Sequence, residues 1–227
     1  MLFRSSYNPS KTVTLYNQIT FGNPFCTVNN GRWLLHKVTN DHITSYDTNE
    51  PVWYYAPFMD ERLNCVGELT IFNFFEDIFF NKNKFREGIC YLEHKNVPTD
   101  KRKVIGNIKY NDITHLHLKN DLRGLAEEFN KHEYLITFDE YTFLSIAATM
   151  CGCKTIILDQ EKYATQTQFI TDNKYQKYGI AYGFQNITWA NKTVDLVWNM
   201  IADYKKEEDL MVESFINYWT QKIINKP

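Results

Sequence analysis

The sequence predicts an α/β protein in which a parallel sheet is covered by helices and preceded by a region of short strands. Two observations carry this. From Gly88 onward, short apolar runs alternate with segments of helical periodicity, the order expected when each strand returns through a crossover helix. Before that point Pro9, Pro24, Pro51 and Pro57 interrupt any long helix, so short strands are the better reading. A chain of 227 residues, 44% hydrophobic and 23% charged, buries a real core and is too apolar for disorder.

In the first region strands are predicted over Thr12–Tyr16, Trp33–Val38 and Val52–Ala56, while Leu69–Phe80 mixes strand and helix features and takes no assignment. In the second, Ile89–Leu92 and Ile113–Leu118 read as strands. Leu122–Asn130 places Leu122, Leu125, Ala126 and Phe129 at helical spacing after a cap at Asp121. Tyr134–Phe138 is then a strand, Thr142–Met150 a helix and Lys154–Leu158 a strand. Ile187, Ala190, Val194, Val197 and Ile201 form an apolar helical stripe, and a further helix over Leu210–Ile224 follows the charged break Lys205–Asp209. No internal repeat or low-complexity linker occurs, and the domain boundary is set between residues 80 and 87, giving regions 1–87 and 88–227.

Composition narrows the function. With 25 Lys and Arg against 27 Asp and Glu, the net charge of -2 offers no basic excess for nucleic-acid phosphates. No apolar run reaches the roughly 20 residues of a membrane span, and the polar opening MLFRSSYNPSKT lacks a signal core, so a cytoplasmic location is expected. Five scattered cysteines do not make a disulfide framework. Cys151 and Cys153 read as small buried residues at a tight turn, and His115 and His117 as a surface or half-buried pair on one face of a strand. An Asp-x-Asp pair, a Gly-rich phosphate loop, a Gly-x-Ser-x-Gly elbow and a Gly-x-Gly-x-x-Gly turn are all missing. No metal site is expected and no cofactor is called for.

The informative stretch is YLITFDEYTFLSIAATMCGCKTIIL, Tyr134–Leu158, a strand, an acidic turn, a short helix and a second strand. Its turn puts Asp139, Glu140, Tyr141 and Thr142 at a helix N-terminus, where free N–H groups and the macrodipole favour an anion. Asp139 as a plain helix cap is the structural alternative. The run FDEYTFLSIAATMCGC resembles the donor-site segment of GT-B glycosyltransferases, whose Rossmann-like C-terminal domain holds a nucleotide sugar. FGNPF with GRWLLHK, FREGICYLEHK, and KYGIAYG followed by WANKT are similar, in the same order, to a small subgroup of bacterial and viral members. They reach across most of the chain.

The resemblance implies a GT-B-like fold with a reduced N-terminal acceptor-side half and a Rossmann-like donor half. It implies a metal-independent hexosyltransferase moving a sugar from a UDP or dTDP donor to a hydroxyl of a glycan. Similarity extends to the middle module of a chlorovirus multidomain rhamnosyltransferase, which leans the sugar toward rhamnose. The donor partners so implied are Lys95 and Arg86 as cations, Glu140, Tyr141 and Thr142 in the turn, and Tyr178, Gly179 and Tyr182 in the GIAYG loop. An inverting reaction needs a base, for which Asp47, Glu50 and His36 are available, with Asp139 as a further catalytic carboxylate. One departure stands out: the wider fold places a ribose-binding Glu after seven residues from the turn acid, and here that count from Asp139 lands on Ala147. The chain reads as a minimal enzyme or one module of a longer polypeptide, and a non-catalytic nucleotide-sugar or glycan-binding module and an assembly domain are the competing readings.

Overall fold

Backbone pairing sorts the strands into two sheets, each wholly parallel and each belonging to its own compact unit. The structure is a computed structural model describing residues 8–56, 58–93, 102–140, 142–158, 162–173 and 175–224.

The first unit joins the chain up to Phe72 with the residues from Lys205 onward. Its strands are β1 (Thr14–Asn17), β2 (Asn30–Leu34), β3 (Val52–Tyr54) and β4 (Cys65–Glu68), side by side in chain order. A short helix α1 (Asn40–Ser45), capped by Thr39, lies between β2 and β3. Strand β2 stops at Leu34 because the Leu35 N–H donates to the Gln18 side chain at 3.1 Å instead of to a neighbouring strand. Strand β4 and helix α1 fall where the residues show no periodic signal.

Alternation along β2 and β3 divides the unit's core. Gly31, Trp33 and Trp53 share one face, over which the end of the C-terminal helix lies: Phe215 and Tyr218 meet the Trp53 ring edge-on at 5.1 and 5.7 Å. A Cβ on Gly31 would stand 2.7 Å from the Trp219 indole. Arg32 and Leu34 point to the other face, where the connecting segments pack. The sequence boundary therefore shifts in both directions. The tail from Lys205 to Ile224 goes with the first sheet, and residues 73–87 go with the second unit, where Phe79 packs on Phe129 and Phe143 at 6.3 and 5.5 Å.

The second unit, Asn73–Tyr204, holds β5 (Ile89–Tyr91), β6 (Asn111–Asp112), β7 (Tyr134–Thr137), β8 (Lys154–Ile157) and β9 (Ile180–Tyr182) in the order β6-β5-β7-β8-β9. Its helices are α2 (Thr114–Leu118), α3 (Leu122–Lys131), α4 (Phe143–Met150), α5 (Gln166–Asp172) and α6 (Ile187–Thr193), followed by the start of α7 (Val197–Ile224). Both sheet faces are covered, which is why the strands read as near-continuous apolar runs. Tyr91, Ile136, Ile156 and Ala181 line one face with Ala190; Ile157, Ile180 and Tyr182 line the other with Phe169. This is an α/β architecture with parallel sheets, compatible with a Rossmann-like arrangement.

Three element assignments change. Ile113–Leu118 is helix α2 after a two-residue edge strand, so His115 and His117 sit about 200° apart around a helix and do not share a face. Ile180–Tyr182 is an edge strand and not a loop. The charged stretch Lys205–Asp209 does not break α7, which runs unbroken for 28 residues. Asp121 caps α3, accepting from the Gly124 N–H at 2.8 Å. Cys151 and Cys153 are buried around Gly152, whose φ of +84° makes the turn. Burial pushes the Cys151 thiol up to about 12, and Cys153 is raised by burial and by the Cys90 thiol, so both stay protonated.

Candidate functional site

In the second unit the chain enters at β5, moves to one side for β6, then returns past β5 to build β7, β8 and β9 on the other. The two directions diverge between β5 and β7. In open parallel sheets that reversal leaves a crevice at the carboxyl ends of the strands, where ligands bind. The residues just beyond β5 and β7 therefore define the candidate site: Leu92 and Glu93 on one side, Phe138, Asp139 and Glu140 on the other, with Thr142 opening α4.

Glu93 is held at several points. Its Oε2 accepts from the Tyr91 hydroxyl at 2.5 Å, its Oε1 from Arg102 at 2.7 Å, and its backbone N–H donates to Thr114 Oγ1 at 3.1 Å. Burial and the bond to the Glu93 carboxylate push the Tyr91 phenol well up, so it remains a proton donor. Hydrogen bonding to Glu93 raises Arg102 in turn. Across the crevice Asp139 is 8% exposed, its N–H donating to Thr137 Oγ1 at 3.1 Å. Glu140 accepts from the Tyr182 hydroxyl at 3.2 Å.

The helix cap is Thr142 and not Asp139: Thr142 Oγ1 accepts from the Leu144 N–H at 3.2 Å, while its carbonyl accepts from Gln176 Nε2 at 3.1 Å. Every residue of α4 from Leu144 to Met150 is buried. Ala147 is wholly enclosed, so this helix presents no ribose-binding group beyond its first turn.

No protein-family model, curated protein or solved structure matches the chain.

Of the remaining donor-side residues, Arg86 lies at the wrong end of the sheet. It precedes β5, and its guanidinium donates to the Cys151 carbonyl, to Asn81 and, at 3.4 Å, to Asn130 Oδ1, pinning the turn before β8 at the strands' N-terminal edge. Tyr182 is 2% exposed and stacked on Phe169 at 5.2 Å and 14°, with its hydroxyl accepting from the Tyr163 N–H at 3.1 Å. Such a ring is core and does not stack on a ligand. Gly179, at φ +72°, is required by packing, since a Cβ there would stand 2.7 Å from the Thr149 methyl. Tyr178 is half-buried, with the Lys177 ammonium 5.1 Å from its ring centre. Lys95 and Tyr141 lie outside the described residues. The structure thus places Asp139, Glu140 and Thr142 beyond β7, with Glu140 bonded to the hydroxyl of the core residue Tyr182, and sends Arg86 and Gly179 elsewhere.

In the first unit the three candidate bases separate. Glu50 is 4% exposed and belongs to a buried ion pair, its carboxylate accepting from Arg32 Nε at 3.1 Å and from Asn30 Nδ2 at 2.9 Å. The Arg32 guanidinium also donates to the carbonyls of Thr20 and Gly22 and lies 3.9 Å from the Tyr46 ring centre. A carboxylate engaged in this way is structural. Asp47 is exposed near it, before β3, on a small polar pocket of about 100 Å³ lined also by Asn29, Asn30, Asn49 and Lys222. His36 follows β2 at the opposite, C-terminal edge, exposed and stacked on Phe58 at 5.2 Å. Of the three, only His36 occupies the edge where parallel sheets present ligand-binding residues.

Sequence reading missed Glu93, Tyr91 and Arg102. The signal that was available is positional: Glu93 stands two residues beyond the end of β5, within the CYLEHK motif. Among the described residues, no group of three or more His, Cys, Asp and Glu is arranged to hold a metal ion, and no helix is long and apolar enough to cross a membrane.

Proposed function

We propose that the chain is a GT-B-like glycosyltransferase that transfers a sugar from a nucleoside diphosphate to a hydroxyl of a glycan, with rhamnose the leading candidate sugar and no metal required. The observation that carries this reading is the position of the FDEYTFLS segment, whose acidic turn and Thr142 fall at the carboxyl end of β7, beside the reversal of strand order. A nucleotide in that crevice would meet the N-terminal end of α4, where the macrodipole favours phosphate. Asp139 repels phosphate, so its carboxylate serves the sugar hydroxyls or the acceptor. Of the candidate bases in the first unit, His36 is the one that stands at the carboxyl edge of its own sheet.

A thermal-shift screen against UDP and dTDP sugars tests the binding half, since a ligand at 100 times its Kd stabilises by about 2.7 kcal/mol. Transfer to a glycan, or slow hydrolysis of the donor above a boiled control, tests the chemistry. No shift with any nucleotide sugar would end this reading. Enclosed Ala147 favours a second one, a non-catalytic nucleotide-sugar-binding module; a donor-dependent shift with neither transfer nor hydrolysis would select it.

A further inference from the structure

The candidate crevice is rich in carboxylates. Glu93, Asp139 and Glu140 all stand at the carboxyl edge of β5 and β7, and a diphosphate would add further negative charge to the same edge. A cation must offset it, and Arg86 is committed to the opposite edge. Arg102 is at the right one. Its NH2 group rests on Glu93 Oε1 at 2.7 Å, and its side chain is 49% exposed to solvent. A guanidinium has five N–H donors in a rigid fork, and among the described residues Arg102 donates to Glu93 alone, which leaves an edge of the fork for a ligand. Glu93 in turn is fixed by the Tyr91 hydroxyl and by the backbone bond to Thr114. An exposed arginine anchored in this way has less freedom to lose on binding than a solvated one.

Resting on the nucleotide-dependent reading above, we infer that Arg102, oriented by Glu93 beyond β5, is the residue that binds the diphosphate of the donor. Glu93 acts as a positioning residue and Arg102 as the ligand contact. The arginine side of the pair is open to solvent, and the Tyr91 hydroxyl and the Thr114 bond still hold the largely buried Glu93 when Arg102 is removed, so the unit stays folded without it.

The test is calorimetric titration of the full chain with UDP and dTDP, and with uridine and thymidine as phosphate-free controls. Arg102→Ala is expected to weaken diphosphate binding roughly 10- to 100-fold, the value of one charge-assisted bond, and to leave nucleoside binding unchanged in a chain that still unfolds cooperatively. Arg102→Lys keeps the charge without the fork and should fall between parent and Arg102→Ala. Glu93→Gln should give a smaller loss, again confined to the diphosphates. Equal UDP and dTDP affinity in parent and Arg102→Ala would overturn the inference and leave the nucleotide reading standing, as would a loss shared by the nucleosides. A parent chain that binds neither diphosphate would overturn the nucleotide reading itself.

Discussion

Both sheets are parallel and built from strands of two to five residues, yet they use their charged residues in opposite ways. In the first, each strand is added on the same side of the one before. Right-handed crossovers then all fall over one face, and the other is left for a helix to cover. The molecule agrees: Arg32 meets carbonyls of the connecting segments on its face, while Trp53 and Gly31 meet the end of α7 on the other. The order never reverses, and the buried Arg32–Glu50 pair ties connections to sheet. In the second sheet the order reverses around β5, and Glu93, Asp139, Glu140 and Arg102 collect at the strand ends. Topology decides whether a carboxylate becomes a buried strut or stands at the carboxyl end of a strand.

The largest expected effect comes from breaking the strut. Glu50→Ala leaves the Arg32 guanidinium buried without its counter-charge and should cost about 3 to 5 kcal/mol by urea denaturation. A variant as stable as the parent would return Glu50 to the candidate bases. Next, Gly31→Ala forces a methyl against the Trp219 indole and, at 3.1 Å, the Pro51 carbonyl, so a loss of about 1 to 3 kcal/mol is expected. An unchanged midpoint would mean that the helix does not seal this face. In the second unit, Thr142→Ala removes the cap of α4 and should cost about 1 kcal/mol, a fall in Tm of roughly 2 to 4 °C. The smallest effect belongs to His36→Ala: an exposed ring on Phe58 should change stability by less than about 0.5 kcal/mol and leave nucleotide titrations as in the parent. A change in donor affinity would place His36 at the donor and remove it as acceptor base.

Legibility in the sequence followed burial. Strands β7 and β8, YLIT and KTII, are enclosed on both faces and were readable as apolar runs, as was the Asp121-capped helix α3. THLHL alternates like a half-buried strand but is too close behind a two-residue strand to form another, and becomes helix α2. Strand β9 was hidden because Gly179 and Gly183, both at positive φ, frame only three residues. The charged run in α7 looks like a break in the apolar pattern, yet Lys, Glu and Leu are good helix formers and carry the helix through. At the site, the turn 139–142 was legible because its residue types are those of a helix start. That Glu50 is buried against Arg32, or that Arg86 sits before its strand on the far edge, depends on contacts across 18 to 65 residues, which local spacing does not encode.

The first unit is also discontinuous in time. Its four strands are complete once Glu68 is made, but the indole that covers Gly31 belongs to Trp219. At typical synthesis rates of about 5 to 20 residues per second, roughly 8 to 30 seconds separate the two events. Through that interval the whole of the second unit, Asn73–Tyr204, is made, with its own core. The later-made unit is therefore free to fold first on the ribosome, while the earlier one waits with Trp53 uncovered, which makes residues 14–68 the stretch of the nascent chain where a holdase chaperone has most to protect.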